Sequence, residues 1–472
     1  MSVMQQVGRT RWMALVSGFA VAMLPAGVQA ATPTVVYSNL AGSSTSQIPG
    51  GLGTWDTDFS FFTLNVSPSG QYWLLNFQEE NTNPEVLIAG SGKSGSAVLV
   101  EGVDGFSGRF VDGIDSSGRI NDSGQWVVGG DFDGSTSDDD AIFGGDLSGL
   151  TTLHAQEGAE IGGGFGFGAG NTWDALDTTA IDASGRAYWV SDSVDGPAFS
   201  SATNEVIVRS DFAVVAQKGV DVPGNQPGTP VAYDDFDLDD FHVSSDGSQW
   251  LVRGDLGTTG TDDALFVNGQ VVVREASTLS ETGISGASSL TLPVDGLTGG
   301  IDQQFMAGNG DWYAFGQLSD DATNWAVRNG ELIAASGDEI FPGAGETWDD
   351  PNNEIQDFSL LVGNSLGDYI LGGLTSGGDE VVVLNGLEAV LRSGDAVDLN
   401  GNGLLDDGVF IGSFEFQETR LGDNMQLFAL VNFADVSGAD IGSGFITVQI
   451  PAPSGAIVLL GGIVGASRRR RG

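Results

Sequence analysis

The sequence has no cysteine and only two histidines, His154 and His242, in 472 residues. The absence of cysteine excludes disulfides, thiolate metal sites and cysteine nucleophiles. Zinc sites built from histidine, catalytic triads and histidine acid–base chemistry need more imidazoles than this chain supplies. We therefore interpret both histidines as structural residues.

Positive charge is also scarce: 17 Lys and Arg face 63 Asp and Glu, for a formal net charge of −46. Six of the basic residues are arginines at the two ends, so only eleven remain in the body of the chain. Such a body repels nucleic acid and anionic lipid, and it attracts cations. A nucleic-acid partner is excluded. Two interpretations of the acidic surface remain: it binds a partner, or it only keeps the protein in solution.

The N-terminus has the three parts of a secretory signal. Arg9 and Arg11 form a positive segment, residues 12–24 are largely apolar, and residues 28–31 are mostly small. We predict a signal peptide over residues 1–30, cleaved after Ala30 by signal peptidase. An uncleaved anchor is disfavoured because the apolar stretch is short for a bilayer span.

The C-terminus forms a second processing unit over residues 451–472. Pro451, Ala452 and Pro453 precede thirteen apolar or small residues (455–467), and four arginines follow, Arg468, Arg469, Arg470 and Arg471. This order resembles the PEP-CTERM sorting tail of bacterial surface proteins, with Ala452 where the family has Glu. The resemblance implies cleavage by an exosortase-type membrane enzyme and a final location at the cell surface or outside the cell. Thirteen residues are too few for a stable span, so only transient membrane contact is expected; a permanent tail anchor is the alternative.

The body between these ends, residues 31–450, repeats about every 59 residues. A turn glycine followed by an aromatic-rich strand recurs at Gly70, Gly124, Gly185, Gly247, Gly310, Gly367 and Gly422. A short apolar strand follows in each unit, and in three units it ends in Asn-Gly, at 268–269, 329–330 and 385–386. Asn-Gly between apolar strands indicates a hairpin, because both turn residues need positive φ. Each unit is therefore predicted to be a four-stranded meander, with strands a to d.

The two ends of the repeat region are complementary. The last unit has strands a, b and c but no strand d, whereas residues 34–42 supply a lone strand d directly after the signal. Seven complete sheets result only when the ends meet. The sequence thus predicts an all-β fold, a seven-bladed β-propeller of four-stranded antiparallel blades closed by an N-terminal strand d beside the C-terminal strand c. An open β-solenoid, the alternative, would need no such displaced strand.

The strand b turns carry a second resemblance. Residues 121–127 and 364–370 each begin with Asn and have Gly three positions later, and they are similar to the NxxGxxAF tandem repeats of exported bacterial proteins. The resemblance covers most of residues 31–450. It implies export, and it assigns no activity or catalytic residue.

The predicted topology also divides the loops between two faces. The a–b and c–d turns share one face, and the more acidic b–c turns and d–a connections share the other, where function tends to be located. One d–a loop matches the start of an EF-hand-like calcium loop. Its candidate ligands are Asp398, Asn400, Asn402, Leu404, Asp406 and Asp407. Position twelve is Val409 instead of Glu, so Asp407 would substitute; a plain Asx-turn loop without an ion is the alternative. A weaker candidate combines Asp131 and Asp133 with residues 138–140.

Thr-Trp-Asp occurs in three d–a loops, at 54–56, 172–174 and 347–349. Such a Trp could stack on a sugar, but we favour a plug between blades. The favoured function is a non-catalytic surface or matrix protein whose acidic face binds Ca²⁺, a cationic partner or a glycan. The alternative is an extracellular polysaccharide hydrolase or lyase, which should cluster two acids near the central channel. The sequence singles out no such pair.

Overall fold

The computed structural model describes most of the repeat region. The described residues are 32–40, 43–49, 52–54, 60–78, 84–115, 118–134, 137–220, 222, 232–236, 241–256, 263–279, 284–286, 298–319, 323–349 and 357–451. The predicted signal peptide lies outside them, as do Trp55 and Asp56 and the tail from Ala452 onward with Pro453 and Arg468 to Arg471. Pro451 is described and exposed.

Seven antiparallel sheets follow one another along the chain, and each is a blade with strands a to d. Blade 1 consists of Ser60–Val66, Trp73–Gln78, Val86–Ser91 and Ser94–Val100. Blade 2 has a divided strand a, and its strands are Arg109–Ile114 with Arg119–Ile120, Trp126–Phe132, Asp140–Asp146 and Gly149–Gln156. Blade 3 consists of Thr179–Ile181, Ala187–Ser191, Val206–Arg209 and Ala213–Gln217.

Blades 4 to 7 repeat this order. Blade 4 also has a divided strand a, and its strands are Tyr233–Phe236 with His242–Val243, Trp250–Leu256, Asp263–Val267 and Gln270–Arg274. Blade 5 consists of Thr298–Met306, Trp312–Leu318, Asn324–Arg328 and Glu331–Ala335. Blade 6 consists of Phe358–Gly363, Tyr369–Leu374, Glu380–Leu384 and Glu388–Arg392. Blade 7 takes Phe410–Leu421, Gln426–Ala434 and Asp440–Gln449 from the C-terminal unit and Thr34–Ser38 from the N-terminus.

Short elements lie between the blades. Gly105–Phe106 extends blade 2, Ser285–Gly286 pairs in parallel with strand d of blade 5, and two ribbons pair Thr172–Ala175 with Ser193–Asp195 and Gln47–Ile48 with Gly53–Thr54. Ser44–Ser46 and Gly163–Phe165 are 3₁₀ turns. Over the described ranges, no helix is both long and apolar enough to cross a membrane.

The ring closes as the sequence predicted, by pairing of the N-terminal strand d with strand c of blade 7. Thr34 lies opposite Thr447 and Ser38 opposite Gly444, in antiparallel register with one irregularity after Val35. The fold is therefore a seven-bladed β-propeller, and its last blade is completed by the first strand of the chain. Closure leaves strand c of blade 7 paired on both sides, which removes an exposed sheet edge.

The hydrophobic core lies between the blades. Seven clusters of buried apolar side chains occur in the described part of the chain, and each joins two consecutive blades. Trp173 lies in the cluster between blades 2 and 3, and Trp348 in the one between blades 5 and 6. Both are at most 5% exposed. The interpretation of these tryptophans as inter-blade plugs is confirmed at both positions.

The turns explain the repeated residue types. Asn268, Asn329 and Asn385 and the glycine after each have positive φ, as the predicted hairpin turns require. In the a–b turns, Asn121 Oδ1 accepts hydrogen bonds from the amides of Ser123 and Gln125, at 2.9 and 3.0 Å. The Asn of the repeat motif thus holds the turn.

In the seventh unit the structure corrects the assignment of the turn glycine. The residue with positive φ is Met425 (φ 57), and its amide donates to the carbonyl of Gly422. In blade 2 the corresponding bond runs from Gly124 to Asn121. Gly422 therefore occupies the Asn position of the motif, three residues before the left-handed position.

Candidate functional site

The face that carries the b–c turns and the d–a connections is called the loop-rich face. Many of its acids join neighbouring blades. At six junctions, a polar side chain at the start of strand c accepts a hydrogen bond from a backbone amide at or near strand a of the next blade. The pairs are Glu85 with Ile114, Asp140 with Leu176, Glu205 with Phe236, Asp263 with Ile301, Asn324 with Asp357, and Glu380 with Phe414. The acidic position that recurs in the sequence is thus structural at these sites.

Glu205 is the most buried of these carboxylates, 4% exposed. Burial, and then a hydrogen bond with Asp235, raises its pKa to about 7, although the ammonium of Lys218 is in direct contact. One oxygen from each of Asp192, Glu205 and Asp235 falls within 4.8 Å of the others. This cluster lies between blades 3 and 4 and could hold a metal ion; the sequence analysis did not find it.

The structure brings together some, but not all, residues of the weaker calcium candidate. Asp131 and Asp140 lie directly opposite each other on strands b and c of blade 2. Burial first, and then the carboxylate of Asp140, raises the pKa of Asp131 to about 6. Oxygens of Asp139, Asp140 and Glu157 lie within 4.8 Å of one another, whereas Asp133 is used to bind the amide of Phe110. Glu157, directly after strand d of blade 2, was missed by the sequence analysis.

The main calcium candidate forms a compact loop between blades 6 and 7. Asp398 is 2% exposed, and its two carboxylate oxygens accept from the amides of Asn402 and Gly403, at 3.1 and 2.8 Å. Asp407 accepts from the amide of Leu399 at 2.9 Å and from the side-chain amide of Asn400 at 2.5 Å.

Five of the six predicted ligands, Asp398, Asn400, Asn402, Leu404 and Asp407, therefore share one hydrogen-bonded network. Leu404 donates its amide to Asn402 Oδ1, at 2.7 Å, while its side chain and Asp406 are exposed. The same loop contacts the ring closure, since the amide and carbonyl of Asp398 bind Pro33 and Val35.

The strands a of the seven blades surround a central channel, whose wider part is a cavity of about 500 Å³. One residue from each strand a, five positions before the left-handed turn residue, lines this channel. We call these seven residues the collar: Asn65, Arg119, Ala180, His242, Phe305, Val362 and Arg420, in blade order 1 to 7.

Charged groups meet at the collar. The pKa of His242 lies well below its ordinary value, mainly because the ring is buried and also because the guanidinium groups of Arg119 and Arg420 are near. The imidazole is therefore neutral, and it contacts Phe305 edge-on at 5.4 Å between ring centroids. Glu418 accepts the Leu64 amide at 2.5 Å, across the junction of blades 7 and 1.

Toward the loop-rich face the channel is lined by the acids Asp115, Asp177, Asp302 and Glu418, together with Arg253. Burial, then repulsion from the carboxylates of Asp131 and Asp177, raises the pKa of Asp115 to about 7. Three of the nine arginines in the body of this acidic protein, Arg119, Arg253 and Arg420, thus line one channel. His242 had been assigned only a structural role, and the collar was not predicted at all.

Comparison with known proteins finds weak likenesses among solved structures. No protein-family model matches the chain, and no curated protein matches it. The propeller of Dos1 is similar at 9% identity over 86% of this chain and 80% of that one, with a TM-score of 0.38. An oligogalacturonate lyase from Vibrio parahaemolyticus is similar at 10% identity, over 89% and 97%, with a TM-score of 0.44. Another oligogalacturonate lyase, in complex with manganese, is similar at 11% identity, over 89% and 98%, with a TM-score of 0.42. Likenesses this weak say nothing about activity.

Proposed function

We propose that the protein is an exported, non-catalytic binding protein of the cell surface or extracellular matrix that acts through its acidic loop face. The observation that carries this proposal is the crowding of carboxylates on the rigid ring around Asp131, Asp140 and Glu157. Burial and neighbouring charge raise the pKa of each of these acids. Crowded carboxylates gain from a bound cation, because the cation cancels their repulsion. The partner larger than a metal ion is either a glycan or a cationic protein. A glycan array tests the first, and a screen of cationic proteins tests the second.

Export rests on the two ends of the sequence. In this proposal, signal peptidase removes residues 1–30, and an exosortase-type enzyme recognises Pro451, Ala452, Pro453 and the arginine cluster. The propeller then remains at or beyond the cell surface, and its membrane contact is transient. Nucleic acid is not a partner of so acidic a protein.

Calcium is the cation that we assign to the loop of residues 398–407, and we expect it to stabilise the fold. Ca²⁺ at a hundredfold excess over its dissociation constant should raise the free energy of unfolding by about 2.7 kcal/mol. The measurement is a thermal melt of the purified propeller in CaCl₂ and in EDTA.

Asp398→Asn should lose this response, whereas Asp435→Asn, in an exposed turn of blade 7, should keep it. Equal melting temperatures of the wild-type protein in CaCl₂ and EDTA would count against the assignment. A response that survives Asp398→Asn but disappears in Asp140→Asn would place the cation on blade 2.

The pKa of Asp115 favours one alternative, a polysaccharide hydrolase or lyase. A channel acid with a pKa of about 7 is partly protonated at neutral pH and could act as a general acid. In that case Asp115→Asn should slow release of reducing ends or unsaturated products from acidic polysaccharides by roughly a hundredfold. The Asp435→Asn variant should be fully active. Absence of product from the wild-type protein would reject the enzyme alternative.

A further inference from the structure

The chain enters and leaves the propeller at one edge of blade 7. In the other six blades a c–d turn joins strand c to strand d, whereas in blade 7 these two strands come from opposite ends of the chain. Thr34, at the start of strand d, lies opposite Thr447, near the end of strand c. The points of entry and exit are therefore neighbours, at the place where the other blades have a c–d turn.

This edge belongs to the face formed by the a–b and c–d turns, which we call the tight-turn face. The amide of Ile450 donates to the carbonyl of Met425 at 2.9 Å, and Gln449 Nε2 donates to the carbonyl of Asn424 at 3.1 Å. Asn424 and Met425 lie in the a–b turn of blade 7, between its strands a and b. Pro451 follows directly and is exposed. The chain thus leaves the propeller on the face opposite the loop-rich face.

The connection between the propeller and the apolar segment of the tail is short. That segment begins at Gly455, four positions after Pro451, so the connection spans at most about 14 Å when fully extended. Strand c of blade 7, Asp440–Gln449, runs from the loop-rich face to the tight-turn face and extends about 33 Å over its ten residues. Because the connection is shorter than the strand, the loop-rich face cannot reach a membrane that holds the apolar segment.

The two faces also differ in how their carboxylates are compensated. Ion pairs on the tight-turn face join Asp182 to Arg186 at 2.6 Å, Asp211 to Arg209 at 2.6 Å, and Asp311 to Arg328 at 2.8 Å. On the loop-rich face, oxygens of Asp139, Asp140 and Glu157 instead lie within 4.8 Å of one another. An anionic lipid surface therefore repels the loop-rich face more strongly than the tight-turn face.

Exposed apolar side chains occur at the tips of several tight turns. Leu366, in the a–b turn of blade 6, is 68% exposed, and Leu387, in the c–d turn of the same blade, is 69% exposed. Leu147 and Phe212 lie in c–d turns of blades 2 and 3 and are 41% and 55% exposed. Contact with the boundary between lipid headgroups and acyl chains would remove part of this apolar surface from water, which is favourable.

We propose that the short connection to the C-terminal tail holds the tight-turn face against the outer surface of the cytoplasmic membrane, with the acidic loop-rich face pointing away. This inference rests on the proposed export and on the proposed sorting tail. It adds which face contacts lipid while the tail is attached. The loop-rich face, to which we assign partner binding, is then accessible before the tail is removed.

The test uses single cysteines, because the chain has none of its own. The full chain is expressed in a bacterial host without an exosortase-type enzyme, and spheroplasts are treated with maleimide-polyethylene glycol. Leu366→Cys and Leu387→Cys should lose labelling, compared with the same variants of a soluble chain that ends at Pro451. Val436→Cys is the matched control. It lies in the b–c turn of blade 7, is 81% exposed, and should be labelled equally in both forms.

A longer connection tests the cause of this protection. A flexible Gly-Ser insertion of about 20 residues between Pro453 and Ser454 has an end-to-end distance of about 25 Å. It should restore labelling of Leu366→Cys and Leu387→Cys, because the propeller can then turn away from the membrane. Protection that survives the insertion would contradict the short connection as its cause.

The possible results separate this inference from the sorting proposal. Protection of the two cysteines on the tight-turn face alone supports the inference. For a chain found in the membrane fraction, equal labelling of all three positions, or protection of Val436→Cys alone, would overturn the inference and leave the sorting proposal intact. A chain absent from the membrane fraction would overturn both. The calcium response of residues 398–407 depends on neither result.

Discussion

Removal of residues 32–40 is expected to open the ring and abolish cooperative unfolding of the whole propeller. These residues bury Val35, Val36, Tyr37 and Leu40, each at most 9% exposed. Full burial of such side chains contributes about 1.5–3 kcal/mol each, so the loss is about 6–12 kcal/mol. Domain stabilities are typically about 5–15 kcal/mol. Thermal denaturation followed by circular dichroism measures the effect, and size-exclusion chromatography detects aggregation through the newly exposed edge.

Two controls make this test specific. A synthetic peptide of residues 32–40 should restore stability. The same peptide with Tyr37→Ser should do so poorly, because the ring of Tyr37 packs edge-on against that of Trp73, with 5.8 Å between ring centroids.

The second control uses the absence of cysteine from the chain. Thr34→Cys with Thr447→Cys should form one intramolecular disulfide, whereas Ser38→Cys with Thr447→Cys should not. A truncated chain as stable as the full one would contradict closure by this strand.

Stability should fall as the pH rises from about 4 to about 7, which is the window set by Asp115. Its pKa is raised from 3.8 to about 7, so the folded protein binds a proton that the unfolded chain has already released. Protonated Asp115 stabilises the fold fully at pH values below 3.8, its pKa in the unfolded chain. This stabilisation is lost as the pH rises through about 7, its pKa in the folded protein. The loss is of the order of 4 kcal/mol at pH 8. Asp131, Asp263 and Glu205 act in the same direction.

The measurement is urea unfolding at pH 5 and pH 8. Asp115→Asn should be more stable than the wild type at pH 8, by about 2–4 kcal/mol, and should differ little at pH 4, because the amide resembles the protonated acid. Asp435→Asn is the matched control, since hydrogen bonds from Ser437 lower the pKa of that exposed carboxyl. A wild-type protein more stable at pH 8 than at pH 5 would contradict this prediction.

The repeat period, the seven blades and the closing strand were predictable because they depend on local rules. Turns such as Asn268-Gly269 need positive φ, and a strand d at one end matches a missing one at the other. The tryptophan plugs followed from the same repeat. The turn glycine of the last unit was misplaced because Met425, an unusual residue for positive φ, takes that position while Gly422 stands nearby.

The candidate site was less predictable. The acid that opens strand c is a visible pattern, yet sequence cannot show that Glu380 reaches the Phe414 amide of the next blade. The collar has no pattern to find, since its members differ in chemistry and are about 60 residues apart. Alignment of the units on their predicted turn glycines would have placed Arg119 and His242 at one level. Because Gly422 was taken as the turn residue of the last unit, the same alignment would have placed Gln417 there instead of Arg420.

The sequence by itself determined the number of blades, the strand that closes them, the hairpin turns and the uneven distribution of charge, because each depends on neighbours in the chain or on composition. Tertiary structure alone decided which acids bridge blades and which crowd together. It also brought two arginines and a neutral histidine, from blades 2, 7 and 4, to one level of the channel. The physical reason is radial symmetry: equivalent positions of distant repeats converge on the axis, so side chains that have no relation along the chain share one small volume and set each other's charge.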